Sequence, residues 1–143
     1  MAQKKSYYYL LRNFITNWLV DEKMSKELVK VATKIRDQIP ELEGLMICKL
    51  DGTKLWGDTL KDLNHDFILS SASLTIRAIK KISESVEKKE IKLVDIELED
   101  GFVTIVVLAK ALVVGFFGED ARSQLGVIKK NLRAFASKID DLI

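Results

Sequence analysis

The sequence predicts a mixed α/β (α+β) domain with three layers, α/β/α, built around five strands. Three observations predict it. Asp51-Gly52 and Asp100-Gly101 each stand between two segments of strand character. Segments 102–109 and 111–117 are almost continuously apolar, which requires helices on both faces of the sheet. Beyond Gly118, residues Ala121, Leu125, Ile128, Leu132, Phe135, Ile139 and Leu142 recur at alternating steps of four and three. That is the clearest helical periodicity in the chain, and it describes a long helix lying on the sheet.

The bulk numbers agree with one folded domain. A chain of 143 residues buries roughly 68–70% of its unfolded surface, so no cross-link or metal is needed to hold a core. Apolar residues make up 48% and charged residues 31%, with one proline and seven glycines. Net charge is +2 from 23 basic and 21 acidic residues, mixed along the chain. This leaves no electrostatic footprint for nucleic acid. Cys48 is the single cysteine, so an intrachain disulfide is excluded. The longest apolar run, Phe102 to Gly118, is broken by Lys110 and falls short of a membrane span. It reads as two strands joined at Lys110-Ala111. Lys4 and Lys5 precede an apolar stretch, but Arg12, Asn13 and Asn17 interrupt it and no small-residue cleavage site follows. A cytoplasmic protein is expected.

The first element spans about Ser6 to Val20. Tyr7, Leu11, Phe14 and Trp18 give it an aromatic-rich apolar face, the contact face of an amphipathic helix. A charged hinge is expected at residues 21–24, separating an extension (residues 1–22) from the main domain (residues 25–143). Ser25 then caps a second helix with the stripe Leu28, Val31, Ile35 and Ile39, which Pro40 ends. Residues 44–50 read as a strand, Asp51-Gly52 as a type I′ turn, and residues 53–56 as the return strand.

A long helix is predicted from Leu63 to Lys88. Ile68, Ala72, Ile76, Ile79 and Val86 form its main stripe, and Leu69, Leu74 and Ile82 lie beside it. Ser71, Thr75 and Ala78 form a row of small residues that allows close approach of another element, or simply covers a wet face. From Glu90 to Glu99, apolar Val94, Ile96 and Leu98 alternate with acidic Asp95, Glu97 and Glu99, the pattern of a strand with one polar face. Two further strands and the last helix complete the order α-α-β-β-α-β-β-β-α.

The residues carry no catalytic pattern. His65 has no cysteine or second histidine near it in sequence, and reads as a helix-entry or surface residue. Cys48 sits in an apolar strand, where it serves as a small buried hydrophobe. Glu97, Glu99 and Asp100 read as solvated edge charges rather than a general acid/base pair. Lys80-Lys81 and Lys88-Lys89 read as solvated helix faces, with an acidic partner surface as the alternative. Gly115 and Gly118 do not form a phosphate loop. No catalytic residue, metal or cofactor is expected.

From Ser25 onward this layout resembles the roadblock family: helix, two-strand hairpin, long helix, three-strand meander, helix. Ile39-Pro40-Glu41-Leu42-Glu43-Gly44-Leu45 is similar to the family's passage from first helix to first strand, and Leu50-Asp51-Gly52-Thr53 to its first hairpin. Val94 to Ile105, through Asp100-Gly101, resembles its acidic third strand turning into an apolar fourth. The resemblance implies a five-stranded antiparallel sheet with the long middle helix on one face and the other helices opposite. It also implies a homodimer, or a dimer with a related roadblock subunit, through the third strand (Leu93, Val94, Asp95, Ile96, Glu97) and the middle helix (Ser71, Thr75, Ala78, Ile82). The implied function is to regulate or scaffold a small Ras-like GTPase without catalysis. Residues before Asp21 depart from the family pattern. Two alternatives remain: a membrane or complex adaptor working through the N-terminal helix, with packing on protein the preferred reading, and a trafficking or cytoskeletal module, since longins and profilins share the layered plan.

Overall fold

The computed structural model describes the backbone of residues 2–143 and the side chains of residues 10–143 other than 17, 18, 20 and 21. Its order is α1 (Ala2–Gln38), β1 (Leu42–Lys49), β2 (Lys54–Thr59), α2 (His65–Ser85), β3 (Leu93–Leu98), β4 (Gly101–Val107), β5 (Ala111–Gly118), a 3-10 helix (Glu119–Gln124) and α3 (Leu125–Asp140). The five strands form one sheet in the order β2-β1-β5-β4-β3, and every pairing is antiparallel. The expected three-layer α+β architecture is therefore the one observed.

One core lies between the sheet and the α1–α3 pair. Leu28, Ala32, Ile35 and Ile39 of α1 meet Ile128, Leu132, Ala136 and Ile139 of α3 above Leu45, Val113 and Phe117. The predicted four-and-three periodicity of the last helix supplies its buried face. Each fully buried Leu or Ile contributes about 1.5–3 kcal/mol. The second core lies under α2, where Leu69 and Ala72 cover Met46, Cys48, Leu112 and Val114. The burial predicted for Cys48 is observed, and burial pushes its thiol up to about 11.

The expected hinge at residues 21–24 is absent: α1 runs without interruption through Asp21, Glu22, Lys23 and Met24. Charge marks a solvated face, and these residues include no helix breaker, since only glycine and proline carry a large helix penalty. Ser25 is thus an interior helical residue rather than a cap. At 1.5 Å per residue, α1 is about 55 Å long, and its buried stretch begins only at Leu28.

The first hairpin also differs from expectation. Gly52 has φ +93°, but Asp51 does not share a positive φ, so the turn is not type I′. Instead Leu50–Thr53 forms a longer loop, closed by Lys49 N–H to the Thr53 carbonyl at 2.9 Å, with an irregularity between Ile47 and Cys48. Asp51 Oδ1 accepts the Thr53 N–H at 2.9 Å, which holds its carboxyl below the usual carboxylate range. At the second hairpin, Glu99-Asp100 makes the turn and Gly101 opens β4. A Cβ there would lie 2.2 Å from the Phe117 carbonyl oxygen, so close backbone approach is what selects glycine.

The middle helix starts at His65 rather than Leu63, because the Asn64 side chain accepts the Phe67 N–H at 3.0 Å as an N-cap. It ends at Ser85, and Val86, predicted within the apolar stripe, is exposed at the C-cap.

Candidate interaction surface

The middle helix is apolar on two sides. Its inner side buries Leu69, Ala72 and Ser73, and the Ser73 hydroxyl donates to the Leu50 carbonyl at 2.7 Å, fixing the helix to the first hairpin. Its outer side exposes Phe67 (69%), Leu74 (62%) and Ile82 (62%). At 100° per residue these three fall within about 80° of each other. Ser71 and Ala78 lie in the same sector, with Thr75 at its border. Ser71 and Thr75 are half-buried and Ala78 is exposed. The Thr75 hydroxyl donates back to the Ser71 carbonyl at 2.8 Å, so this row presents little unsatisfied polarity.

α2 packs across β2, β1 and β5. It sits off-centre, toward the β2 edge. On the same sheet face, Val94 and Ile96 of β3 and Val103 and Val107 of β4 remain only partly buried. β3 bonds to β4 alone and so forms an open edge. A partly covered apolar sheet face thus lies beside an unpaired edge strand and an apolar helix flank, the kind of surface on which proteins dock partners.

The residues predicted for the interface do not all share this surface. Val94 and Ile96 face the α2 side. Leu93 packs toward the α1–α3 core, so Asp95 and Glu97, at alternate positions from it, project on that opposite side. Glu97 is an exposed charge, as expected, and both acids also have partners. Asp95 accepts from the Thr104 hydroxyl at 2.8 Å and from Lys129 Nζ at 2.7 Å, and Glu97 pairs with Arg122. Arg122 also grips Glu119 and lies 4.7 Å from the Phe102 ring centroid. Hydrogen bonding by Arg122 lowers the Glu119 pKa, and the same contact raises that of Arg122. Phe67 was missed by sequence reasoning, and its signal was available: it stands one helical turn before Ser71 in the sector of Leu74 and Ile82.

Along α1, Leu10, Leu11, Phe14, Ile15 and Leu19 are exposed, Phe14 at 68%. Of the predicted contact face, Leu11 and Phe14 are therefore open, while the Tyr7 and Trp18 side chains lie outside the described residues. No described helix is long and apolar enough to cross a membrane. His65 begins α2 as expected of a helix-entry residue, half-buried, with Nε2 3.0 Å from the Thr59 hydroxyl. Among the described residues there is no group of three or more His, Cys, Asp or Glu able to hold a metal ion.

No family model matches the sequence, and no curated protein matches it. Solved structures do. Gliding protein MglB from Thermus thermophilus superposes with a TM-score of 0.71 at 13% identity, covering 84% of this chain and 93% of that one. A Roadblock/LC7 domain from Streptomyces avermitilis gives 0.55 at 13% identity, over 72% of this chain and 92% of that one. Schizosaccharomyces pombe profilin gives 0.51 at 11% identity, over 70% of this chain and 88% of that one. Identities this low speak for the fold alone, and the fold is the one that these MglB, Roadblock/LC7 and profilin structures share.

Proposed function

We propose that the protein is a non-catalytic platform that pairs with a second roadblock-type chain, in the simplest case its own copy, and presents the paired middle helices to a small Ras-like GTPase. The observation that carries this reading is the half-covered sheet face. α2 leaves β3 and β4 partly open, next to the exposed stripe of Phe67, Leu74 and Ile82. Extending the sheet across β3 covers the open edge, and a neighbouring α2 covers the apolar remainder. The likeness to MglB supports the platform reading. Work on the GTPase would proceed by positioning the partner's own groups.

The test is a pull-down with Ras-like GTPases of the same genome in both nucleotide states, alongside light-scattering mass. Binding in one or both states by the wild type, lost in Leu74→Asp, is the expected result. A wild-type monomer that captures no GTPase in either state removes the reading.

A second reading is favoured by the exposed run Leu10, Leu11, Phe14, Ile15 and Leu19, with Arg12 beside it. An apolar helix face near cations suits a lipid interface. Flotation with anionic liposomes, with and without residues 1–22, decides it: a full-length chain that stays at the bottom ends this reading.

A further inference from the structure

Beside the open edge of β3, on the α3 side of the sheet, lies a groove of about 360 Å³ lined by Leu93, Gly126, Lys129, Lys130 and Arg133. Lys129 is engaged by Asp95. Lys130 and Arg133 make no ion pair among the described residues, and both are exposed. Gly126 stands in the first turn of α3, where a Cβ would meet nothing within 4 Å. Glycine costs a helix about 1 kcal/mol relative to alanine, and no neighbour within this chain requires it.

We infer that this cationic groove is the receptor for the acidic face of β3 from a second copy of the chain. The inference rests on the dimer reading above and adds the residues that make it selective. Residues paired across two antiparallel strands share a sheet face. Pairing about Asp95 therefore sets Glu97 of the second copy opposite Leu93, which lines the groove. The same pairing brings two Asp95 and two Glu97 carboxylates together on one face, and like charges opposite one another are destabilising. Within each copy Lys129 serves Asp95 and one Arg122 is shared between Glu97 and Glu119, so the face keeps an excess of carboxylate; Lys130 and Arg133, free within the described residues, add positive charge from each side. Complementary charge of this kind selects partner and register. The groove thus explains why a strand so acidic can serve as a dimer edge.

The experiment is a charge exchange read by native mass spectrometry and sedimentation at about 0.05 and 1 M salt. Lys130→Glu with Arg133→Glu forms one variant, and Glu97→Lys forms the other; circular dichroism checks that each is folded. Each variant alone places like charges at both grooves, and its dimer should weaken about tenfold or more relative to the wild type. Mixed in equal amounts, the two should form a heterodimer in preference to either homodimer, and the preference should fade at high salt. Wild-type dimers with folded variants that assemble equally well, or without heterodimer preference, overturn the groove while leaving the dimer reading intact. A wild type that is monomeric at both salts overturns both.

Discussion

The Thr104 hydroxyl donates to Asp95 Oδ1 at 2.8 Å while Lys129 Nζ holds Asp95 Oδ2 at 2.7 Å, so one carboxylate joins β3, β4 and α3. Thr104 is fully buried, and this is the bond that satisfies its hydroxyl. Removing the acceptor strands the hydroxyl, which costs about 1–3 kcal/mol. Asp95→Ala should therefore destabilise the protein by about that amount in urea unfolding. Adding Thr104→Val should recover part of the loss, because the orphaned hydroxyl is gone. A double variant whose loss equals the sum of the Asp95→Ala and Thr104→Val losses would show that the pair is not coupled.

Leu132 and Phe67 present the opposite case of two large apolar residues with different work. Leu132 is fully buried between α3 and the sheet, and Phe67 is 69% exposed. Leu132→Ala should cost about 2–5 kcal/mol through lost burial and the cavity left behind. Phe67→Ala should change the unfolding free energy of the monomer by about 0.5 kcal/mol or less. Its effect should appear instead as weaker self-association or weaker GTPase capture. A large loss of monomer stability from Phe67→Ala would place that ring in the fold rather than at an interface.

The contrast between these residues marks what the sequence could reveal. The spacing of four and three identified Ile128, Leu132 and Ile139 as the buried face of α3, although Ala121 falls in the preceding 3-10 helix, Leu142 lies beyond α3, and Ala136 is buried where Phe135 is only half-buried. The apolar runs of β4 and β5 likewise implied helices on both sheet faces. Phe67, Leu74 and Ile82 carry the same chemistry as core residues, and only the off-centre seat of α2 decides that they are exposed. The engagement of Asp95 and Glu97 by Lys129 and Arg122 joins positions 34 and 25 residues apart, beyond the reach of any local pattern. The misplaced hinge at residues 21–24 has a simpler origin, since charge was given the meaning that belongs to glycine and proline.

The length of α1 leads to a separable prediction. Its buried residues begin at Leu28, and Met24 is the first described side chain packed against the core. Removing residues 1–22 should shift the thermal midpoint by less than about 4 °C, roughly the effect of 1 kcal/mol in a domain of this size. If the midpoint falls much further, the front of α1 is packed on the domain or on its dimer mate, and the exposed run from Leu10 to Leu19 is covered in solution.

Cys48 gives the pH dependence that the fold itself dictates. Burial is the main cause of its raised pKa, opposed by a hydrogen bond from the Leu112 backbone and aided by the nearby Asp51 charge. The folded thiol titrates at about 11, against an ordinary value of 9.0. Below pH 9 both the folded and unfolded chains keep the proton, so this residue contributes no pH dependence. Between 9 and 11 the unfolded chain loses its proton first, and folding stability falls as pH rises. Tyrosines and lysines titrate in the same window, so the quantity to measure is the difference between the wild type and Cys48→Ala across it. That difference should shift steadily in favour of the variant from pH 9 to 11, over a constant cost for the lost packing. Thiol-reagent labelling of the native wild type at pH 8 should also proceed only as fast as the protein opens. A difference that stays flat across the window would mean that the thiol is reached by water in the folded protein.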